Sequence, residues 1–115
     1  MTTITVSSEN QKYKAVKNIL YTKDGSKLIW CPEGKTGTVT IPEGTSIIGK
    51  GAFENDDKIK KIIIPKTVKK IGKNAFYGIN KKATIYVPKG KKAFYKKLLT
   101  SKTGLVKTMT IKEKK

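Results

Sequence analysis

Residues 62–84 read IIIPKTVKKIGKNAFYGINKKAT, and the stretch before them, residues 39–61, reads VTIPEGTSIIGKGAFENDDKIKK. The two align without a gap and share Ile-Pro, Ile-Gly-Lys and Ala-Phe at matching positions. A third copy of the opening starts at Ile85, so proline recurs every 23 residues, at positions 42, 65 and 88. Self-similarity at such a period predicts a solenoid, in which each coil adds one strand to a shared core.

Each repeat opens with a β-branched run that a proline ends, because proline has no N–H to donate to a β-ladder. Side chains alternate between the two faces along a strand. The outer residues of each run are therefore predicted to face the core: Val39, Ile41, Ile62, Ile64, Ile85 and Val87. Stacking such units about 4.8 Å apart would give a parallel sheet.

Later positions of each repeat predict a second inward stripe, formed by Thr45 or Val68 and then Ile48 or Ile71. Gly49 and Gly72 follow that stripe, and we expect them to make a tight bend at positive φ. The chain is thus predicted to divide into an N-terminal strand and hairpin-bearing cap (1–38), two repeats (39–84), a closing strand, helix and final strand (85–111), and a frayed basic tail (112–115).

The segments before and after the repeats also have recognisable sequence patterns. Asp24-Gly25 lies between two apolar runs and predicts a hairpin, and Ile4 to Val6 predicts one more strand ahead of it. Residues 91–102 predict a capping helix with Ala93, Phe94, Lys97 and Leu98 on one side and with Tyr95 and Leu99 beside them. Residues 105–111 predict the last strand, with Leu105, Met109 and Ile111 on one face.

The pattern I-P-x-x-V-x-x-I-G-x-x-A-F at 64–76 resembles the BspA-like leucine-rich repeats of bacterial surface proteins. Residues 9–28 look like the hairpin-bearing repeat of that family and residues 85–95 like its closing repeat, so the likeness covers roughly 4–100. Asp56 and Ile79 stand where the family often has cysteine, and Ile59 and Lys82 where it usually has leucine. The resemblance implies a leucine-rich-repeat-like solenoid that is secreted or on the cell surface and binds host proteins, matrix or other cells, without catalysis or a cofactor.

The amino-acid composition indicates which kinds of partner the chain is expected to bind. The chain has 26 basic residues against eight acidic ones, every basic residue is lysine, and there is no histidine. Lysine lacks the planar fork that reads base edges, so a nucleic acid partner is not expected, whereas an anionic glycan or polymer stays open. Codon usage of a low-GC genome would give the same lysine content without any function. No stretch predicts a membrane span or a secretory signal, and the start therefore suggests a boundary within a longer chain.

Residues that could carry chemistry are few. Cys31 is predicted to be a core residue, because no histidine is available to activate it. The cluster Glu54 to Asp57 lacks the spacing of a calcium loop and is predicted to be a solvated loop. We therefore expect no enzyme activity, no metal site and no cofactor.

The outward side of the strands is the predicted binding surface. If the outer strand residues face the core, the opposite side presents Thr38, Thr40, Lys61, Ile63, Thr84 and Tyr86. Three functions stay open: an adhesion module that binds a protein through this face, a polyanion binder that uses lysines aligned on successive coils, and a structural spacer of a longer surface protein. The identity of the ligand and the oligomeric state are not predicted.

Overall fold

The computed structural model describes residues 11–16, 19–31 and 36–114, which wind into coils whose strands lie side by side. The elements are β1 (Tyr13–Val16), β2 (Ile19–Thr22), β3 (Lys27–Trp30), β4 (Gly37–Thr40), β5 (Ile47–Ile48), β6 (Ile59–Ile63), β7 (Lys70–Ile71), β8 (Thr84–Val87), α1 (Lys92–Leu98), a 3₁₀ helix (Ser101–Thr103) and β9 (Thr110–Glu113). The extents of 40 × 26 × 25 Å are longest in one direction, as expected when units stack in a row.

The repeat strands form a four-stranded parallel sheet in the order β4-β6-β8-β9. Thr38 pairs with Lys61 and Lys61 with Thr84, so neighbouring strands are in register at the 23-residue period. The three strands predicted from the repeat therefore lie side by side. The sheet continues to β9, where Thr110 pairs with Thr84.

The inner face of this sheet is the core. All six outer strand residues predicted to face inward are buried, none more than 2% exposed: Val39, Ile41, Ile62, Ile64, Ile85 and Val87. Each large aliphatic side chain buried in this way contributes roughly 1.5–3 kcal/mol. The prediction of the buried strand face is confirmed.

A second sheet lies beyond the proline turn and was not predicted. Its order is β1-β2-β3-β5-β7, with antiparallel pairs in the hairpin region and parallel pairs from β3 onward. The strands β5 and β7 have only two residues each, and Ile48 pairs with Ile71. Thr45, Val68 and Ile48 are buried as the second inward stripe requires, and Ile71 packs partly buried against the core.

A third line of hydrogen bonds joins the Ala-Phe segments of successive coils. The Cys31 N–H donates to Ala52 O, the Phe53 N–H to Ala75 O and the Phe76 N–H to Thr103 O, at 2.7–2.8 Å. The rings of Phe53 and Phe76 are buried and stack with their centroids 5.6 Å apart and their planes 11° apart. Each coil is thus tied to the next along three sides.

Gly49 and Gly72 have a different role from the one predicted. Neither has positive φ; the left-handed positions of this bend are Gly51 and Asn74, at φ 66° and 58°. A Cβ on Gly49 would lie 2.9 Å from Leu28 O, and one on Gly72 would lie 2.5 Å from the Lys50 backbone N. These glycines are needed because the backbones of neighbouring coils approach too closely there for a side chain.

The N-terminal part contains the predicted hairpin of β2 and β3, and β1 adds an unpredicted antiparallel strand. Asp24 Oδ1 accepts hydrogen bonds from the Ser26 N–H (2.9 Å), the Ser26 hydroxyl (2.8 Å) and the Thr22 hydroxyl (2.8 Å). These bonds lower the pKa of Asp24 to about 2.

Two further observations concern the N-terminal part. Burial raises the pKa of Tyr21 to about 12, and the nearby Cys31 adds to the rise. The strand predicted at Ile4 to Val6 lies outside the described residues.

The capping helix is shorter and turned differently from the prediction. It ends at Leu98, and the 3₁₀ helix follows, with Gly104 in the left-handed region at φ 99°. Tyr95 in the helix and Leu99 just after it are buried, and Leu98 is half-buried. Ala93, Phe94 and Lys97 are exposed. The Tyr95 hydroxyl explains the orientation, because it lies 2.9 Å from Val68 O and 3.1 Å from Pro65 O and donates to these carbonyls. Burial raises the pKa of Tyr95, with a smaller contribution from Glu43.

The last strand begins later than predicted, at Thr110, and includes Lys112 and Glu113, which were expected to fray. The strand pairs with β8, and three further hydrogen bonds hold its C-terminal end. The Lys114 N–H donates to Val87 O at 2.8 Å, and Glu113 Oε2 accepts from the N–H groups of Gly90 (3.2 Å) and Lys92 (3.4 Å). The predicted inward residues Leu105, Met109 and Ile111 do pack partly buried against the core.

Two predictions concern single side chains. Cys31 is buried in the core, as expected. Asp56 is not solvated: it is 1% exposed, while its neighbours Glu54 and Asp57 are exposed. The reason is positional, because Asp56 occupies the inward site that Ile79 fills in the next repeat.

Candidate functional site

The outward side of the parallel sheet, called the strand face below, consists of two rows of side chains. One row contains Thr38, Lys61, Thr84 and Thr110, and the other contains Thr40, Ile63, Tyr86 and Lys112. Members of a row belong to paired residues on neighbouring strands and therefore stand about 4.8 Å apart. The face is positioned by the backbone ladder and by the buried residues behind it.

All six residues predicted for the binding surface lie on the strand face. Thr38, Thr40 and Lys61 are exposed, and Ile63, Thr84 and Tyr86 are half-buried. Ile63 pairs directly with Tyr86, so the aliphatic and aromatic side chains are neighbours. The structure thus brings the residues together, while their role in binding stays a prediction.

Two residues of this face were missed by sequence reasoning. Thr110 and Lys112 pair with Thr84 and Tyr86 and extend the two rows by one strand. The 23-residue period does not reach them, because the helix lengthens the last coil to 26 residues between Thr84 and Thr110. The alternation of apolar and polar residues around Met109 and Ile111 could have predicted these two residues, because it places Thr110 and Lys112 on the side opposite the core.

The charge of the strand face is positive. Lys61 and Lys112 are exposed in the two rows, and the rows contain no carboxylate. Glu113 follows in the same strand, but its carboxylate accepts hydrogen bonds from the backbone at Gly90 and Lys92. An apolar pair flanked by two lysines is suited to a partner with an apolar projection and acidic groups around it.

On the paired strands, the lysines are not aligned with lysines of the neighbouring strand. Lys61 is aligned with threonines on both sides, and Lys70 is aligned with Ile47. Lys81 and Lys82 line a groove on another side of the coils, and Lys69 and Lys91 line a pocket beside α1. The lysines are therefore distributed over several faces.

The groove beside Lys81 was also missed. It has a volume of about 680 Å³ and combines the exposed apolar side chains Tyr77 and Val106 with the polar Asn55 and Asp57. A signal existed, because Tyr77 occupies the repeat position at which the preceding unit has Glu54. The change from Glu54 to Tyr77 at this exposed repeat position makes the groove partly apolar.

The arrangement supports non-covalent contact. Among the residues that the structure describes, no group of three acidic, cysteine or histidine side chains could hold a metal ion. The same part of the chain contains no helix with the length and apolar character needed to cross a bilayer. What the strand face offers is shape, two lysine charges and one apolar pair.

Comparison with known proteins adds a family to this geometry. The family model described as "BspA type Leucine rich repeat region (6 copies)" matches residues 32–114. The structure of the pneumococcal vaccine antigen PcpA is similar, with a TM-score of 0.59 and 13% identity over 99% of this chain. A leucine-rich repeat protein from Eubacterium ventriosum is similar, with a TM-score of 0.54 and 26% identity over 76% of this chain. No curated protein sequence matches.

These matches confirm the predicted family resemblance and the leucine-rich-repeat-like fold class. The chain spans 50% of the PcpA chain and 30% of the Eubacterium ventriosum chain. At 13% identity, the similarity to PcpA concerns the fold alone.

Proposed function

Since this chain belongs to the BspA-type leucine-rich repeat family, we propose that it is a non-catalytic protein-binding module that contacts an extracellular or cell-surface partner through the strand face. The observation that carries the proposal is the alignment of the two outward rows on the parallel sheet. Solenoids commonly bind through extended surfaces of this kind, because the stacked units hold successive side chains at fixed spacing.

The energetic centre of the proposed contact is the pair Ile63 and Tyr86. Tyrosine supplies a large contact area at low conformational entropy, and a neighbouring aliphatic residue extends that area. Both side chains are half-buried in the free protein, so little freedom is lost when a partner covers them. Lys61 and Lys112 would orient an acidic partner and accelerate its approach.

A location outside the cell or on its surface is part of the proposal. It rests on the family, whose resemblance implies surface proteins that bind host proteins, matrix or other cells. Antibody labelling of intact cells that express the full-length gene product tests it. Labelling only after the cells are lysed would contradict it.

The binding test uses a panel of purified extracellular-matrix proteins and the double variant Ile63→Ser/Tyr86→Ser, measured by biolayer interferometry. The matched control is Tyr77→Ser/Val106→Ser, which removes a similar aromatic and aliphatic pair from the groove on another side. We expect the strand-face variant to bind at least about 30-fold more weakly and the control to bind within about threefold of wild type.

The outcomes separate the alternatives. Equal loss in both variants would contradict a specific role for the strand face. A wild-type chain that binds no member of the panel would overturn adhesion to matrix and favour a spacer. Thermal melts of both variants show whether a loss of binding reflects a loss of fold.

A further inference from the structure

Helix α1 is flanked by two pockets rimmed with lysine. The first has a volume of about 510 Å³ and is lined by Lys66, Lys69 and Lys91 around Phe94. The second has a volume of about 550 Å³ and is lined by Lys73, Lys97 and Lys102 around Ile71 and Leu98. Neither pocket is lined by a carboxylate. The two pockets together are called the helix groove below.

The two pockets lie close together. Lys69 and Lys73 are four residues apart in the segment that contains β7, so their Cα atoms lie at most about 14 Å from each other. On the opposite side, Phe94 and Lys97 lie on neighbouring turns of α1. A linear ligand of a few sugar units is therefore long enough to span the distance between the two pockets.

The charge of the helix groove is strongly positive. Six lysines line it, and two carboxylates lie near: Glu43, whose charge contributes to the raised pKa of Tyr95, and Glu113, which accepts from the backbone at Gly90 and Lys92. Clustered charge of one sign raises the local concentration and association rate of an oppositely charged ligand. A polyanion complements this surface better than a neutral or cationic ligand does.

The apolar side chains at the bottom of the two pockets indicate which kind of polyanion would fit. Phe94 is 43% exposed, with Lys69 Nζ 5.5 Å from its ring centroid, and Ile71 and Leu98 form the apolar part of the second pocket. An apolar floor with a cationic rim fits a sugar ring, which presents C–H groups on its face and anionic substituents at its edge. Lysine without arginine lacks the bidentate contact that reads nucleic acid bases.

We propose that the helix groove binds an anionic polysaccharide, with the six lysines pairing to its charged substituents and the apolar floors contacting its sugar rings. This site is separate from the strand face and does not depend on the function proposed for it. The strand-face variant Ile63→Ser/Tyr86→Ser should accordingly bind the polysaccharide as wild type does.

Fluorescence anisotropy with a labelled heparin octasaccharide, at several salt concentrations, tests the proposal. The site variant carries Lys69→Gln, Lys73→Gln, Lys91→Gln and Lys97→Gln, and the control carries Lys58→Gln, Lys81→Gln, Lys82→Gln and Lys107→Gln. Both remove four exposed lysines. If each lost contact weakens binding about threefold, the site variant should bind about 100-fold more weakly and show a smaller salt dependence. The control should change by less than about fivefold.

The apolar floor has its own test. Phe94→Ser removes the ring and keeps every charge, so we expect weaker octasaccharide binding with an unchanged salt dependence. Unchanged binding by Phe94→Ser would overturn the contact with the sugar ring.

Three further results would overturn the proposal. One is the absence of octasaccharide binding by wild type. Another is equal loss in the site and control variants, which would indicate general polyelectrolyte attraction. The last is duplex DNA of similar charge binding as tightly and with the same lysine dependence, which would contradict a polysaccharide ligand.

Discussion

Thr45 offers a test of how the repeats share one core. Its side chain is buried, 1% exposed, and within the described ranges its hydroxyl has no hydrogen-bond partner. The equivalent residue in the next repeat is Val68, which is 0% exposed and has a methyl group in place of the hydroxyl. We predict that Thr45→Val stabilises the protein.

The magnitude follows from the desolvation of the hydroxyl. Leaving a buried polar group without a partner costs about 1–3 kcal/mol, and valine has nearly the same shape as threonine. We expect the free energy of unfolding to rise by about 1–2 kcal/mol. For a chain of this size, 1 kcal/mol corresponds to about 4 °C in Tm, so Tm should rise by about 4–8 °C.

The assay is thermal and urea unfolding followed by circular dichroism. A rise in the urea midpoint with an unchanged m-value identifies a change in stability rather than in the surface exposed on unfolding. The reciprocal variant Val68→Thr is the matched control, because it places a hydroxyl at the equivalent buried position, and it should lose about 1–3 kcal/mol.

One result would refute the reasoning. If Thr45→Val lowers the free energy of unfolding by about 1 kcal/mol or more, the hydroxyl must donate or accept a hydrogen bond in the folded protein. Thr45 would then be held in the core by a hydrogen bond, whereas Val68 is held by apolar packing alone.

Two more predictions concern the coil backbone and the hairpin. Gly72→Ala should destabilise the protein by about 3 kcal/mol or more in urea unfolding, because its Cβ would lie 2.5 Å from Lys50 N. Gly90→Ala is the control: it has φ 80° but open space around the Cβ, so a loss of only about 1–2 kcal/mol is expected, and equal losses would contradict the close-approach argument. The pKa of Asp24 is lowered to about 2, so the stability it contributes is present above its ordinary pKa of 3.8 and is lost as pH falls towards 2. The urea midpoint of Asp24→Asn should therefore lie below that of wild type at pH 7 and approach it at pH 2, and a difference that persists at pH 2 would be evidence against this pH dependence.

The repeat made the main sheet predictable. Proline-ended β-branched runs at a fixed period determine which strands pair, and alternation then determines that Ile62 is buried while Ile63 faces outward. The six candidate residues of the strand face follow from the same two rules. Nothing beyond local pattern and period was needed for this part.

Other features depend on contacts between coils, which local pattern does not encode. The pairing of β5 with β7 involves two residues on each strand, too few to produce a periodic signal. The role of Gly72 depends on where the backbone of Lys50 lies in the preceding coil. Helix α1 turns Phe94 outward because the Tyr95 hydroxyl reaches carbonyl groups about 30 residues away in the chain, and this orientation leaves the ring in the helix groove.

The close approach at Gly49 and Gly72 has a consequence for sequence variation. Because backbone contacts and buried side chains set the distance between coils, the residues on the outer side of β4, β6, β8 and β9 have little influence on that distance. Those positions can be exchanged for other side chains while the scaffold keeps its dimensions. A protein built in this way can acquire a new binding specificity by changing a few surface residues, because those changes leave its fold and stability largely unaffected.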